Sequence, residues 1–321
     1  MVWKLSRGGN TQFFDMTLLI ENVRKGCPLM LAIALALGCS RQTSQTLVDS
    51  LAQLQQQKRV AIGYIYDRKL NLLQLEKAPH IRDYTIPGPG FYAASLGPSG
   101  SFYGVNRQDE NEFLVLRQNG EISWRRRGLY AEEDPTVSPE GTKVVFKGRD
   151  RETQQSGLLL VEDEGKTVSL IARDGSGPSW SPDGSRLCYQ NSSEILVFDL
   201  RTRRSNGIAQ GTNATWSPDG DLISFRTNEN RFSLMDSRGK LKRALFDGKD
   251  ILTPLSWSPD SQYLMYVKAG SSLHGVACSD ASIDIMVVRV SDGLTSSLLE
   301  TCNTVSPRVF RWLQIPSNLP L

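Results

Sequence analysis

Two histidines, His80 and His274, and five cysteines, Cys27, Cys39, Cys188, Cys278 and Cys302, bound the chemistry open to this 321-residue chain. A serine hydrolase of the nucleophile-elbow kind needs Gly-x-Ser-x-Gly on a strand–turn–helix. No such string occurs, and Gly97-Pro-Ser-Gly100 reads as a turn. His80 falls at a hairpin tip and His274 in a long loop, with no evident triad around either. A P-loop, zinc-ligand spacing and a dinucleotide fingerprint are also missing from the sequence. The expectation is a protein that is not an enzyme and takes no cofactor and no metal.

The cysteine with a chemistry of its own is Cys39. Arg24-Lys25 is followed by Gly-Cys-Pro and an unbroken apolar run from Leu29 to Leu37, then Gly38-Cys39-Ser40. A basic region, an apolar run of roughly ten and a small residue make a secretory signal. The run is too short to span a bilayer, which takes about 20 residues. The stop at Gly38-Cys39 resembles a bacterial lipobox, with Cys39 as the lipidated N-terminus. Ala36 and Leu37 depart from the usual Leu and small residue there, and an ordinary cleaved signal is the other reading. Residues 1–38 are expected to be the signal peptide, with Met16 as the initiator, because residues 1–15 fit no signal region. Export makes a disulfide between Cys278 and Cys302 expected. It would close a loop of some 24 residues, a stabilisation of roughly 3 kcal/mol. Cys188, in an alternating strand, is expected to be buried.

The elements that position these groups come from a repeat. SWSPDGSRLCYQ (Ser179–Gln190), TWSPDGDLISFR (Thr215–Arg226) and SWSPDSQYLMYV (Ser256–Val267) are close copies. TVSPEGTKVVFK (Thr136–Lys147) and SLGPSGSFYGVN (Ser95–Asn106) are weaker ones. Their prolines, Pro98, Pro139, Pro182, Pro218 and Pro259, are spaced 41, 43, 36 and 41 residues apart. A period near 40 is the propeller signature. Ser-Pro-Asp-Gly suits a type I turn, with Pro fixing φ at the second position and Gly at the fourth. Six hairpin-like pieces follow the turns, which implies six blades. Only five have a turn repeat in front. The strand in SPRVFRWLQI (Ser306–Ile315), carrying Trp312, is expected to complete the first blade and remove the open edges. The fold class is therefore all-β: a six-bladed β-propeller of four-stranded antiparallel blades over residues 59–321. Residues 39–58 are a polar tether whose Leu47, Leu51 and Leu54 fall at helical spacing.

These repeats resemble the TolB family of periplasmic propellers, whose repeats read like WSPDG. The resemblance covers Arg59 to Leu321. It implies the fold and a place in the cell envelope, and its bearing on function is a fold-level analogy. TolB carries an α/β domain ahead of its propeller and is not itself lipidated. Only about 20 residues separate Cys39 from the first strand here, so no such domain is expected between them.

Strand order puts the SPDG turns and hairpin tips on one face. The other face, which carries the loops between second and third strands and between blades, is the expected binding face. The residues singled out on it are Asp109 and Glu110, Arg149, Asp150 and Arg151, Glu132 and Glu133, Glu229 and Asn230, and His274. They mix both charges, which suits a polar protein partner better than a lipid. The net charge of +3, with no basic stripe interleaved by aromatics, gives no case for nucleic acid. Arg125–Arg127 and Arg201–Arg204, in or near hairpin turns, read as solvated. The expected protein is an exported, lipid-anchored monomer in the periplasm, a scaffold for envelope proteins. Ser40 after the cysteine favours the outer membrane. The alternative is a small-ligand or glycan binder, or a rare propeller hydrolase, working at the central mouth.

Overall fold

The computed structural model describes residues 2–7, 10–15, 47–57, 60–66, 69–75, 80–86, 88–97, 101–106, 112–117, 119–133, 135–252, 255–269, 282–302 and 311–314. Within residues 1–51, β1 (Val2–Arg7) and β2 (Asn10–Asp15) pair as an antiparallel hairpin. Residues 52–321 form the second compact unit. The helix at 47–57 buries Leu47, Leu51 and Leu54, the three leucines of its stripe. Its Gln55 is buried too. The Gln55 carboxamide donates to the Leu73 carbonyl (2.9 Å) and accepts from the Leu75 amide (3.3 Å). Both polar ends of a buried amide are thus satisfied, and this part of the expected tether is fastened to a blade.

Blade 1 begins with β3 (Val60–Tyr66), β4 (Lys69–Gln74) and β5 (His80–Thr85). Blade 2 is β6 (Phe91–Leu96), β7 (Phe102–Asn106), β8 (Glu112–Leu116) and β9 (Ile122–Arg127). In blade 3, β10 (Leu129–Ala131) and β11 (Thr136–Val137) both pair with β12 (Val144–Asp150), followed by β13 (Gln155–Glu162) and β14 (Thr167–Ala172). Blade 4 is β15 (Gly175–Trp180), β16 (Arg186–Asn191), β17 (Glu194–Asp199) and β18 (Arg204–Gln210). Blade 5 is β19 (Thr212–Trp216), β20 (Ile223–Arg226), β21 (Arg231–Met235) and β22 (Leu241–Asp247). Blade 6 is β23 (Ser256–Trp257), β24 (Tyr263–Ala269), β25 (Ser282–Arg289) and β26 (Thr295–Cys302). The last strand, β27 (Arg311–Gln314), pairs with β3, with Trp312 opposite Ile62. The ring is closed as the repeat count requires.

Period-two alternation builds the core between blades rather than inside one sheet. Along β13, Leu159 and Val161 join Phe113 and Phe146 against blade 2. Leu158 and Leu160 point the other way, to Trp180 and Leu187 of blade 4. Each such leucine is fully buried, worth about 1.5–3 kcal/mol apiece.

The SPDG turns are built alike. Ser181 Oγ donates to Asp183 Oδ1 (2.6 Å) and accepts from the Arg186 amide (2.9 Å), while the Gly184 amide closes the turn on the Ser181 carbonyl (2.9 Å). Ser217 and Ser258 repeat the pattern with Asp219 and Asp260. All three serines are buried. The turns also touch from blade to blade. A Cβ on Gly184 would lie 2.6 Å from the Glu140 carboxylate, and one on Gly220 would lie 3.1 Å from Pro182 Cγ. Ser261, holding the glycine position at φ 59°, accepts from the Asp219 amide (3.1 Å). The WSPDG motif is scaffold.

Candidate functional site: the mouth of the central channel

The first residues of the inner strands ring one end of the channel. Here the structure encloses a cavity of about 670 Å³, bounded by blades 1, 3, 4, 5 and 6. The aromatic part of its wall is Trp216 and Trp257, each 5% exposed. Two indoles at this repeat position are tied to the preceding blade, while that of Trp312, like that of Trp216, has no acceptor among the described residues. Trp180 Nε1 donates to the Thr136 carbonyl (3.3 Å), and Trp257 Nε1 to the Thr215 carbonyl (3.1 Å). Trp216 Nε1 is buried and has no acceptor among the described residues. Its ring is held from the other side by the Arg186 guanidinium, 5.0 Å from the centroid.

Polar groups line the rest. Gln190 Oε1 accepts from the Asn213 amide (2.7 Å), which holds Asn213 in the left-handed region at φ 55°. That leaves Gln190 Nε2, the Asn213 carboxamide and the Ser176 hydroxyl with no bond among the described residues. Glu133 Oε2 accepts from the Gly177 amide (3.2 Å). Arg311, at the start of the closing strand, sends Nη1 past blade 2 to the Pro135 carbonyl of blade 3 (3.4 Å). The guanidinium thus joins blade 1 to blade 3, whose Glu132 and Glu133 line the same cavity.

The sequence expectations meet this geometry unevenly. Glu132 and Glu133 do line the mouth. They directly follow strand β10, in a stretch expected to be loop. Leu129–Ala131 pair with Asp150–Gly148 and Thr136–Val137 with Val145–Val144, so Glu132 and Glu133 stand off the ladder between the two pairings. The amides of Glu132 and Glu133 anchor this stretch on the Lys147 carbonyl. Arg149 does not reach the cavity. It pairs with Glu132 (3.3 Å) and stacks on Tyr130.

Asp150 departs from its expected place on a solvent loop. It ends β12, is 1% exposed, and holds the 150–153 turn. Its carboxylate accepts from the Glu152 amide (3.1 Å), Thr153 Oγ1 (2.8 Å) and Arg126 (3.2 Å). A carboxylate so saturated is architecture and not a partner contact. Arg126 of the expected solvated run is likewise enclosed, spanning Asp150, Glu152 and the Gly165 carbonyl.

Arg151 is exposed on that turn, away from the mouth lining. Asn230 is a turn residue at φ 63°, its Oδ1 taken by Arg226, beside an exposed Glu229. Asp109, Glu110, His274, Cys39 and Cys278 lie outside the described residues. Cys302 ends β26.

The groups that sequence reasoning missed are Ser176, Gln190, Asn213, Trp216 and Arg311. Gln190 had a signal: it is the last residue of its repeat string. Cys188 is buried as expected. Its thiol is pushed up to about 12 by burial and donates to the Ala214 carbonyl (3.6 Å), so it is no nucleophile.

Closed inner strands, tied turns and a polar mouth define a six-bladed β-propeller with four-stranded blades. Its fold is TolB-like. It matches a protein of Agrobacterium tumefaciens assigned as TolB with a TM-score of 0.53 and 17% identity, over 75% of this chain and 88% of that one. A functionally unknown protein from Desulfotomaculum acetoxidans DSM 771 matches with a TM-score of 0.51 and 13% identity, over 78% and 82%. At these identities the likeness is one of fold. No family model and no curated protein matches the sequence.

Proposed function

We propose that this chain is a non-enzymatic, protein-interaction propeller of the cell envelope that receives a polar partner segment at the mouth of its channel. The observation that carries the reading is the set of uncommitted hydrogen-bonding groups on one wall: Ser176, Gln190 Nε2 and the Asn213 carboxamide. Three such groups lining one cavity favour an occupant that offers donors and acceptors of its own. Amides and hydroxyls bind by hydrogen bonding, and no nucleophile is held against a base there. Envelope tethering rests on the apolar run before Cys39 and on the TolB-like fold.

The test is a photo-cross-linking residue at Asn213 in the full chain, in membranes, with mass spectrometry of the adducts. A discrete envelope protein captured from position 213, and lost on Gln190→Ala, supports the reading. Adducts no different from those at exposed Glu229 overturn it. Loss of a palmitate-analogue label on Cys39→Ala tests the anchor. The cavity volume also suits a small ligand, whose pockets span about 300–1,000 Å³. Binding of a glycan or metabolite at the mouth with no protein adduct would favour that second reading.

A further inference from the structure

The chain brings two basic hairpins side by side on the outer rim, far apart in sequence. The tip of blade 5 packs onto the outermost strand of blade 4 so closely that a Cβ on Gly239 would lie 1.9 Å from the Ile208 carbonyl. One hairpin carries Arg201, Arg203 and Arg204, and the other Arg238, Lys240, Lys242 and Arg243. Of the acids on these hairpins, Asp199 and Asp236 are engaged, and Glu194 lies exposed against Gly207. Asp199 accepts from the Thr202 amide and hydroxyl, and Asp236 accepts from the Arg238 and Lys240 amides. Arg203 is paired to Glu162 (2.8 Å), Lys242 to Asp236 (3.0 Å), and Arg243 donates to the Val290 carbonyl of blade 6 (3.1 Å). Arg204, Arg238 and Lys240 are exposed and have no side-chain bond among the described residues, and Arg201 is exposed near Asp199 alone. Leu241 lies between Lys240 and Lys242 in the chain, 59% exposed, the most exposed large apolar side chain among the described residues.

We propose that the outer rim of blades 4 and 5 is a docking surface for an anionic lipid membrane. Cations spread along an edge meet a plane of phosphate headgroups, and each near such a surface is worth roughly fivefold in partitioning. The exposed leucine among them enters the interfacial layer, which a purely electrostatic contact with a hydrated acidic protein would not reward. The rim lies on the outside of the ring and the mouth on its axis, so docking leaves the mouth open. The inference rests on the envelope reading only for the source of the lipid.

The test is hydrogen–deuterium exchange of the full chain in phosphatidylglycerol-containing and pure phosphatidylcholine vesicles. Peptides covering 201–208 and 238–245 should exchange at least about threefold more slowly on the anionic vesicles only. The uncharged outer edge of blade 3, 167–172, should not change. Arg201, Arg204, Arg238 and Lys240 replaced by Ser should abolish the protection, and Leu241→Ser should weaken it. Both variants are at exposed positions, and an unchanged thermal melt certifies their fold. Equal exchange on the two vesicles, or protection at 167–172 instead, overturns the proposal. Protection by a lipid-free envelope extract but not by vesicles would place an acidic protein there and also overturns it. None of these outcomes depends on what the mouth binds.

Discussion

Trp216 and Trp257 occupy the same repeat position, are equally buried, and differ in one bond, so replacing each by Phe isolates that bond. Both substitutions remove a similar volume and leave a similar gap beside the channel, and that part of the cost cancels in the comparison. Trp257→Phe also deletes the indole bond to the Thr215 carbonyl (3.1 Å), worth about 0.5–1.5 kcal/mol. Trp216→Phe deletes no bond and removes a buried donor that has no acceptor, which relieves a penalty of about 1–3 kcal/mol. Set against this is a weaker ring under Arg186, about 0.5 kcal/mol. Trp257→Phe should therefore be the less stable variant by about 2 kcal/mol. Urea unfolding followed by circular dichroism, with equal m-values in the two variants, reads the difference directly. Equal midpoints, or Trp216→Phe as the weaker protein, would refute the reasoning and mean that the Trp216 indole has a partner in the folded protein.

Three further outcomes follow from the scaffold. Ser217→Ala should destabilise by about 2 kcal/mol in the same urea assay, since it leaves the buried Leu222 amide and the Asp219 carboxylate without their hydroxyl. Gly239→Ala should cost more than about 2 kcal/mol and loosen the contact between blades 4 and 5, visible as faster amide exchange at Ile208. There φ is +82° and the added carbon meets a carbonyl. Hydrogen bonds from the Ser181 and Ser185 hydroxyls lower Asp183 from 3.8 to about 2. A depressed folded-state value contributes stability above about pH 4 that is lost as pH falls towards 2. Asp183→Asn should flatten the decline of thermal stability over that window.

Much of the candidate site was hidden for a physical reason. Glu132 and Glu133 were legible because three consecutive acids before Pro135 cannot continue a buried strand. Asp150 and Arg126 looked like solvent-facing charges because a sequence shows a charge and not its partner. The two lie 24 residues apart and meet only when blades 2 and 3 pack. Arg311 and Pro135 are 176 residues apart and meet only because the ring closes.

The order of strands, the number of blades and the closure by Trp312 were determined by the sequence alone. Turn chemistry and period-two alternation are local, and they recur often enough to be counted. The mouth, the orphaned indole at Trp216 and the joined basic rim were decided by tertiary structure. Each depends on the angle and spacing at which one blade meets the next, and packing between blades sets that geometry, which no single repeat encodes.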